Sequence, residues 1–183
     1  FLYLDLIDHL NLSDTILMGF SMGGWAAAEI AAINTQRFSK LVLVDSVGIK
    51  VGGPFDRDIA DVFATAAAEL TGLSWHDPSK APDPNSMTDE ELQTFASDRI
   101  AHGLYTWEPY MHNPKLPYRL HRIDIPTLLI WGAGDGVVTP SYGEAFRNMI
   151  PGANMVVIPD AAHSPHVEQP EAFAKAFLEF ASK

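Results

Sequence analysis

One serine of the chain stands in a context that is typical of a catalytic nucleophile. Ser21 lies in the segment 19–23 (GFSMG), which fits the pattern G-x-S-x-G between an apolar run and an alanine-rich run. The serine should therefore lie at a sharp, strained strand-to-helix turn that exposes its hydroxyl. Gly19 and Gly23 would let the strand and the helix pass close to each other. The backbone N–H of Met22, at the start of the helix, should point to the place where an oxyanion would form.

A serine hydroxyl needs an adjacent base to act as a nucleophile near neutral pH, and the chain offers seven histidines. His163 follows the fourth predicted strand and precedes the last predicted helix, on the sheet edge where Ser21 is also expected. His166 lies close by and is the alternative base. A surface or packing role is the simpler interpretation of the other histidines: His9, His76, His102, His112 and His121.

The imidazole of a catalytic histidine needs a carboxylate that fixes its tautomer and stabilises its protonated form. Asp135 follows the third predicted strand in a glycine-rich turn, and Asp45 ends the second. Both should lie on the same edge as Ser21, and both satisfy the chain order Ser, Asp, His. Position alone leaves Asp135 and Asp45 open as the acid, whereas Asp160 is too close in sequence to His163 to be favoured.

These side chains need a scaffold, and the hydrophobic pattern predicts one. Four apolar runs predict strands over 15–20, 40–45, 127–131 and 154–158. Segments with helical periodicity or high alanine content predict helices over 1–10, 22–33, 141–149 and 170–182. Strands that alternate with helices and are apolar on both faces indicate an α/β fold, with a mostly parallel sheet flanked by helices.

The region between the second and third strands has a different character, because it is rich in proline and lacks a strand pattern. A structureless loop of this length would be unusual, so we predict a mostly helical insertion. One helix would carry Ile59, Val62, Phe63, Ala66 and Leu70 and end at Gly72. The other would begin at a capping box and present Leu92, Phe95, Ala96 and Ile100. The chain would then consist of a core, 1–47 and 123–183, and a helical cap over 48–122.

Four segments together resemble the α/β-hydrolase superfamily, in the branch of serine hydrolases that carry a helical cap after the sixth strand. These segments are 19–24 (GFSMGG), 41–46 (LVLVDS), 126–140 (PTLLIWGAGDGVVTP) and 161–173 (AAHSPHVEQPEAF). The resemblance covers the chain except for the cap and implies Ser21 as nucleophile, Asp135 as acid and His163 as base. It makes Asp45 the less expected acid, since the acid of this branch usually follows the seventh strand.

The resemblance also implies that the chain is a C-terminal portion of the fold. Members of the family have four strands and a helix before the serine segment, and a His-Gly turn after the third strand supplies a second oxyanion donor. We expect this second donor to be missing here, with Met22 as the remaining one. The strand over 15–20 should expose an apolar edge. We expect an upstream segment, a second chain or self-association to cover it.

Composition excludes several other classes of function. The chain has 183 residues, of which 47% are hydrophobic, as expected for a globular domain. Its net charge of −11 disfavours a nucleic-acid surface, and no apolar run approaches a membrane span. Without cysteine, it has no thiol nucleophile, disulfide or thiolate metal site. We expect a small acyl substrate, no cofactor, no metal, no nucleic-acid or membrane partner, and a cytoplasmic location.

The residues and the resemblance together predict a serine hydrolase of esters, thioesters or related acyl bonds, acting through an acyl-enzyme. Trp25, Trp107 and Tyr110 could line an apolar acyl pocket, although packing inside the cap explains such aromatics equally well. Two alternatives use the same triad: a carbon–carbon hydrolase of vinylogous β-ketoacids, as in aromatic degradation, and a haloperoxidase-like perhydrolase. The former ranks lower, because such enzymes usually follow the histidine with tryptophan, and Ser164 stands here. A non-catalytic binding module or inactive fragment is the alternative from another class.

Overall fold

A computed structural model describes all 183 residues of the chain. Its four strands are β1 (Thr15–Phe20), β2 (Phe38–Val44), β3 (Thr127–Gly132) and β4 (Asn154–Ile158). They form one sheet in the order β1-β2-β3-β4, and every neighbouring pair is parallel. The strand ends therefore meet along one edge, with Phe20 beside Val44 and Gly132 beside Ile158.

Helices precede, connect and follow these strands. They are α1 (Leu2–His9), α2 (Met22–Ile33), α3 (Ala67–Ser74), α4 (Asp89–Thr106), α5 (Pro140–Asn148), α6 (Pro165–Glu168) and α7 (Pro170–Ala181). Short 3₁₀ helices lie at Pro78–Lys80, Pro84–Ser86 and Leu120–Arg122. The arrangement confirms the predicted α/β fold, a parallel sheet flanked by helices. None of these helices has both the length and the hydropathy to cross a membrane.

The core has two unequal layers, one on each face of the sheet. Leu41 and Leu43 of β2 belong to the larger layer, together with buried residues of α2 and α5. Val42 and Val44, which alternate with them, belong to the smaller layer, against partly buried aromatic residues of α7. Successive residues of a strand point to opposite faces, so a continuous apolar run fills both layers.

The segment 48–122 packs its own residues into the larger layer of the core. Five of its buried residues lie there: Ile49, Ile59, Met111, Leu116 and Leu120. An isolated parallel bridge between Gly48 and His112 closes the segment near its two ends. The cap is thus continuous with the sheet on its inner side, and its standing as a separate unit remains a prediction.

The first predicted helix of the cap is shorter than expected and lies later in the chain. The apolar pattern predicts a helix through residues 59–70 that ends at Gly72. In the structure, α3 begins only at Ala67, passes through Gly72 and ends at Ser74. This prediction is therefore wrong in both of its boundaries.

Side chains explain why residues before Ala67 are not helical. The Asp61 carboxylate accepts the N–H of Ala64 at 2.9 Å, which forms a turn in place of a helical hydrogen bond. The Tyr110 hydroxyl accepts the N–H of Val62 at 2.8 Å and donates to the Ala60 carbonyl at 2.6 Å. A tyrosine distant in sequence thus binds backbone groups that a helix would have used.

The second predicted helix of the cap is present, but its predicted apolar face is not buried. The Thr88 hydroxyl accepts the Glu91 N–H, and the Glu91 carboxylate accepts the Thr88 N–H, as the capping box predicts. The apolar face predicted for α4 is not buried, since Ile100 is 66% exposed and only Thr106 of the helix is buried. The expectation of a packed stripe through Leu92, Phe95, Ala96 and Ile100 is therefore wrong.

The strand β1 forms one edge of the sheet and pairs with β2 alone. Most of its residues are only half-buried, and α1, which precedes it in the chain, contains no buried residue. Leu2 and Leu6 of α1 are exposed. The apolar edge expected from the sequence is therefore present, while what covers it remains a prediction.

Candidate active site

Ser21 occupies the turn between β1 and α2 in a left-handed backbone conformation. Its φ is 49° and its ψ is −117°, a combination that is strained for any residue other than glycine. Its N–H donates to the Val44 carbonyl of the neighbouring strand at 2.9 Å. Its own carbonyl accepts the N–H groups of Trp25 and Val47. Hydrogen bonds from both sides therefore hold the strained conformation.

Close packing around this turn leaves no room for a side chain at two glycines. A side chain at Gly19 would collide with the Gly23 carbonyl. A Cβ at Gly24 would lie 2.5 Å from the Ser46 hydroxyl oxygen. A Cβ at Gly23 would meet nothing within 4 Å, so the second close approach occurs at Gly24, one residue later than the pattern predicts.

His163 lies between Ser21 and Asp135 and contacts both. Its Nε2 is 2.9 Å from Ser21 Oγ, and its Nδ1 is 2.8 Å from Asp135 Oδ2. A carboxylate only accepts hydrogen bonds at neutral pH, so Nδ1 carries the proton and Nε2 is free to accept the serine proton. This is the order of contacts that a serine nucleophile needs.

The Asp135 carboxylate is fixed by backbone donors as well as by the imidazole. Its side chain is fully buried, and the N–H groups of Val137 and Val138 donate to Oδ1 at 2.8 and 3.0 Å. Its other oxygen is therefore held toward His163. Asp45, the rival in the sequence, accepts the Gly132 N–H instead and makes no hydrogen bond to His163.

Backbone carbonyls at the end of α3 hold both loops that carry the acid and the base. The His163 N–H donates to the Ser74 carbonyl at 3.0 Å, and the Gly136 N–H, next to Asp135, donates to the Leu73 carbonyl at 2.9 Å. The cap thus contributes main-chain contacts to the geometry of the site.

Glu168, which the sequence reasoning missed, links the same regions from the other side. The residue is buried, and its carboxylate accepts the Ala162 N–H at 2.7 Å and the Asp77 N–H at 2.9 Å. Lys80 donates to the Glu168 carbonyl at 2.8 Å. The sequence shows a glutamate shortly after His163, but nothing in the sequence identifies the residues of the cap that this glutamate binds.

His166, the alternative base, lies among aromatic side chains. Its ring centroid is 4.6 Å from that of Phe20 and 6.0 Å from that of Phe173. Burial, with a smaller contribution from His163, lowers the pKa of His166. Both contacts that a base needs, to Ser21 and to Asp135, are made by His163.

The Met22 N–H is available for an oxyanion. Met22 is the first residue of α2, where N–H groups have no partner within the helix, and no turn or cap hydrogen bond uses this group. The helix dipole favours negative charge at the same place. Its assignment as an oxyanion donor remains a prediction.

A cavity of about 560 Å³ opens at Ser21. Its floor is formed by Phe20, Ser21 and Met22, and its roof by residues of α4: Phe95, Asp98, Arg99, Ala101, His102 and Tyr105. Burial lowers the pKa of His102, and the charges of Arg99 and His163 act in the same direction. The cavity therefore presents apolar surface together with a histidine that favours its neutral form.

The three aromatic residues predicted to bind substrate do not line this cavity. The Trp25 indole donates to Glu29 at 3.2 Å, and its ring lies against Gly48. Trp107 and Tyr110 line a second cavity of about 410 Å³. The structure thus places all three outside the lining at Ser21.

The residues of the roof share one face of α4, and the sequence held part of that information. Phe95, Arg99 and His102 recur at spacings of four and three, which is the spacing of neighbours on a helix surface. The capping box at Thr88 fixes where this helix begins. Nothing local to the helix indicates which of its faces turns toward Ser21.

Comparison with known proteins places the chain in a family. The sequence profile described as "Alpha/beta hydrolase family" matches residues 2–176, so the chain belongs to the alpha/beta hydrolase family. This finding confirms the resemblance noted in the sequence, and the family agrees with the parallel sheet and with the serine at its edge.

Among its relatives are two hydrolases with different substrates in their names. The chain is 28% identical over 181 residues to 3-oxoadipate enol-lactonase 1 of Acinetobacter baylyi, covering 97% of the chain and 67% of the relative. It is 29% identical over 191 residues to 2-hydroxy-6-oxononadienedioate/2-hydroxy-6-oxononatrienedioate hydrolase of Cupriavidus pinatubonensis, covering 95% and 64%. The crystal structure of a hydrolase from Pseudomonas aeruginosa matches with a TM-score of 0.70 and 31% identity, over 99% of the chain and 69% of that protein.

Proposed function

We propose that the chain is a serine hydrolase that cleaves an ester, thioester or related acyl bond through an acyl-enzyme intermediate. The observation that carries this proposal is the continuous hydrogen-bonded series from Ser21 Oγ to His163, at 2.9 Å, and from His163 to Asp135, at 2.8 Å. The enol-lactonase relative supports ester chemistry, because a lactone is a cyclic ester.

In the first half of the reaction, Ser21 Oγ attacks the acyl carbon while its proton passes to His163 Nε2. The Met22 N–H donates to the oxygen that becomes negative. His163 then gives the proton to the leaving group, the bond to the leaving group breaks, and the acyl group remains on Ser21. Asp135 stabilises the imidazolium during both proton transfers.

In the second half, water attacks the acyl carbon and His163 Nε2 takes its proton. The bond to Ser21 Oγ breaks, the proton returns to the serine, and the free acid leaves. Each half uses the same imidazole as base and then as acid, so no additional titratable group is needed.

A fluorophosphonate probe tests the proposal on the folded chain. The parent should be labelled at Ser21, as located by peptide mass spectrometry, and should hydrolyse p-nitrophenyl esters. His163→Ala and Ser21→Ala should be labelled much less or not at all. A folded parent chain that neither reacts with the probe nor turns over esters would contradict the proposal.

Carbon–carbon bond hydrolysis is the second candidate, because the Cupriavidus relative is named as a hydrolase of 2-hydroxy-6-oxo dienedioates. The same Ser21 and His163 would act on a ketone in place of an ester. The two candidates are separated by comparing kcat/KM for a p-nitrophenyl ester and for a 2-hydroxy-6-oxo-dienoate. We expect the ester to be the better substrate.

Two further proposals concern what pairs with the open edge of β1 and where the protein is located in the cell. We propose that another polypeptide segment, from upstream, from a second chain or from another copy, pairs with the open edge of β1. Light scattering measures the mass of the chain in solution and so tests pairing with another copy. Extending the chain with an upstream segment tests whether that segment covers the edge of β1. The cytoplasmic location is tested by fractionation of cells that express the protein natively.

A further inference from the structure

Asp45 is a buried carboxyl group at the catalytic edge that the proposed reaction does not use. It follows β2, is 1% exposed, and has a left-handed backbone with a φ of 42°. Its Oδ1 accepts the Gly132 N–H at 2.9 Å, while its Oδ2 is buried without a hydrogen-bond donor. An ionised carboxylate with an unsatisfied oxygen is costly in such a place, because water cannot solvate it.

A second carboxyl group, that of Asp135, lies near it, because Gly132 contacts both residues. The Gly132 N–H donates to Asp45 Oδ1 at 2.9 Å, and the Gly132 carbonyl accepts the Asp135 N–H at 3.2 Å. The negative charges of Asp135 and, more weakly, of Glu168 act on the Asp45 carboxyl group. Two carboxyl groups so close together and shielded from water do not both ionise readily, so one of them should carry a proton.

The hydrogen bonds indicate which of the two carries it. Asp135 accepts two backbone N–H groups and contacts the His163 imidazole, so both of its oxygens already have donors. Asp45 accepts a single N–H. Burial, followed by the negative charge of Asp135, raises the pKa of Asp45 well above its usual value.

We propose that Asp45 is a positioning residue of the active site, whose carboxyl O–H donates to Asp135 and holds that carboxylate in line with His163. This inference rests on one part of the proposed function, namely that His163 is the catalytic base. The Asp45 proton is not transferred during the reaction. Its hydrogen bond disperses part of the negative charge that Asp135 presents to the imidazole.

Two substitutions at Asp45 separate this role from its alternatives. In Asp45→Asn, the amide oxygen can still accept the Gly132 N–H and the amide NH₂ can still donate to Asp135. Asparagine also tolerates the left-handed backbone. In Asp45→Ala, both hydrogen bonds are lost. Asp45→Asn is therefore the matched control for a neutral donor.

The primary measurement is the pH titration of the His163 imidazole, observed by NMR. The chain is labelled with ¹⁵N-histidine, and the His163 signal is assigned by its absence in His163→Ala. In Asp45→Asn, we expect the titration midpoint of His163 to be the same as in the parent. We expect a higher midpoint in Asp45→Ala, because Asp135 then presents its full charge to the imidazole. If Asp45 were ionised, both variants would lower the His163 midpoint, because each removes a negative charge from the surroundings of the imidazole. If Asp45 were merely structural, neither would move it. Either result overturns the proposal.

A direct measurement on the parent does not depend on whether Asp45→Ala folds. The ¹³C carboxyl resonance of Asp45, assigned with Asp45→Asn, should have the chemical shift of a protonated acid at pH 7. The shift of an ionised carboxylate would overturn the proposal. Ester kcat/KM should stay near the parent value in Asp45→Asn and fall in Asp45→Ala by about ten- to hundredfold, the scale known for outer-shell partners of metal-binding histidines.

The NMR measurements need no turnover, so the two proposals can fail separately. If the parent is not labelled at Ser21 while the His163 and Asp45 signals behave as expected, the proposed function fails and the role of Asp45 stands. If Ser21 is labelled while the His163 midpoint is the same in all variants, the role of Asp45 fails and the hydrolase proposal stands.

Discussion

The floor and the roof of the Ser21 cavity are built in different ways. The floor and the loops beside it lie at the ends of parallel strands, where Ser21, Asp135 and His163 are tied to buried backbone groups. The roof is a single helix, α4, in which only Thr106 is buried. Chemistry is thus supported by the rigid part of the molecule, and the surface that would meet a substrate is supported by a lightly packed part.

The loops of the floor have backbone attachments that the middle of the roof helix does not share. Backbone-to-backbone bonds hold the loops of the floor to α3 and to the neighbouring strands. The roof is fastened by side chains of α4, including Arg99, which donates to the Val62 carbonyl at 3.0 Å and lies over the Phe63 ring. Substitutions should therefore affect the reaction rate at the floor and substrate binding at the roof, which can be tested in order of effect.

The largest effect is expected at the centre of the floor. Ser21→Ala removes the nucleophile and should lower kcat for p-nitrophenyl esters by about 10⁶-fold, as in other triad enzymes. The melting temperature should stay close to that of the parent, because the Ser21 hydroxyl is bonded only to His163 among side chains. If the Ser21→Ala variant, purified to homogeneity, still hydrolysed the ester, Ser21 would not be the nucleophile.

Asp135→Asn should produce the next largest loss. The amide oxygen can still accept the Val137 and Val138 N–H groups, so the loop should keep its shape. The amide NH₂ would face His163 and favour the wrong tautomer, and kcat should fall by about 10⁴-fold. Rates for Asp135→Asn and Asp45→Asn, measured side by side, decide between the two carboxyls. A larger loss in Asp45→Asn would show that the acid is misassigned.

Around the serine turn, an added methyl group should destabilise the fold at Gly24 but not at Gly23. Gly24→Ala places a Cβ 2.5 Å from the Ser46 hydroxyl oxygen. It should lower the free energy of unfolding by about 1–3 kcal/mol. Gly23→Ala meets nothing within 4 Å, and should be neutral or stabilising by up to about 1 kcal/mol, since alanine favours helix. Urea denaturation measures both, and equal effects would contradict the close packing at Gly24.

The smallest effect is expected at the roof. Phe95→Ala removes apolar surface from the cavity lining. It should raise KM for an aromatic ester by about tenfold or less with little change in kcat, because this contact would be made equally to substrate and transition state. Trp107→Ala, outside the lining, is the matched control and should leave KM unchanged. A fall in kcat alone for Phe95→Ala would place the roof in the chemical step.

The sequence predicts the floor well because its signals are local. A continuous apolar run predicts each strand, and G-x-S-x-G predicts the turn at Ser21 without reference to the rest of the chain. Parallel strands bring their ends to one edge, so the meeting of Asp135 and His163 with Ser21 follows from the order of the elements.

The roof and the second carboxyl depend on contacts that the sequence does not encode locally. The backbone of Ala60 and Val62, where a helix was predicted, is bound by Tyr110, which lies more than 40 residues away in the chain. The apolar residues of α4 predict a buried face, yet the inner face carries Arg99 and His102. The proximity of Asp45 to Asp135 follows from the pairing of β2 with β3, and no motif announces it.

The carbonyls of Leu73 and Ser74 hold the two catalytic loops through the main chain, and this has a consequence for the evolution of the cap. Every amino acid supplies the same carbonyl group, so drift of the side chains at these positions can leave the tether unchanged. Recombination that exchanges the roof between relatives can therefore alter substrate preference while conserving the chemistry, provided that the crossover points preserve the path of the backbone at residues 73–74.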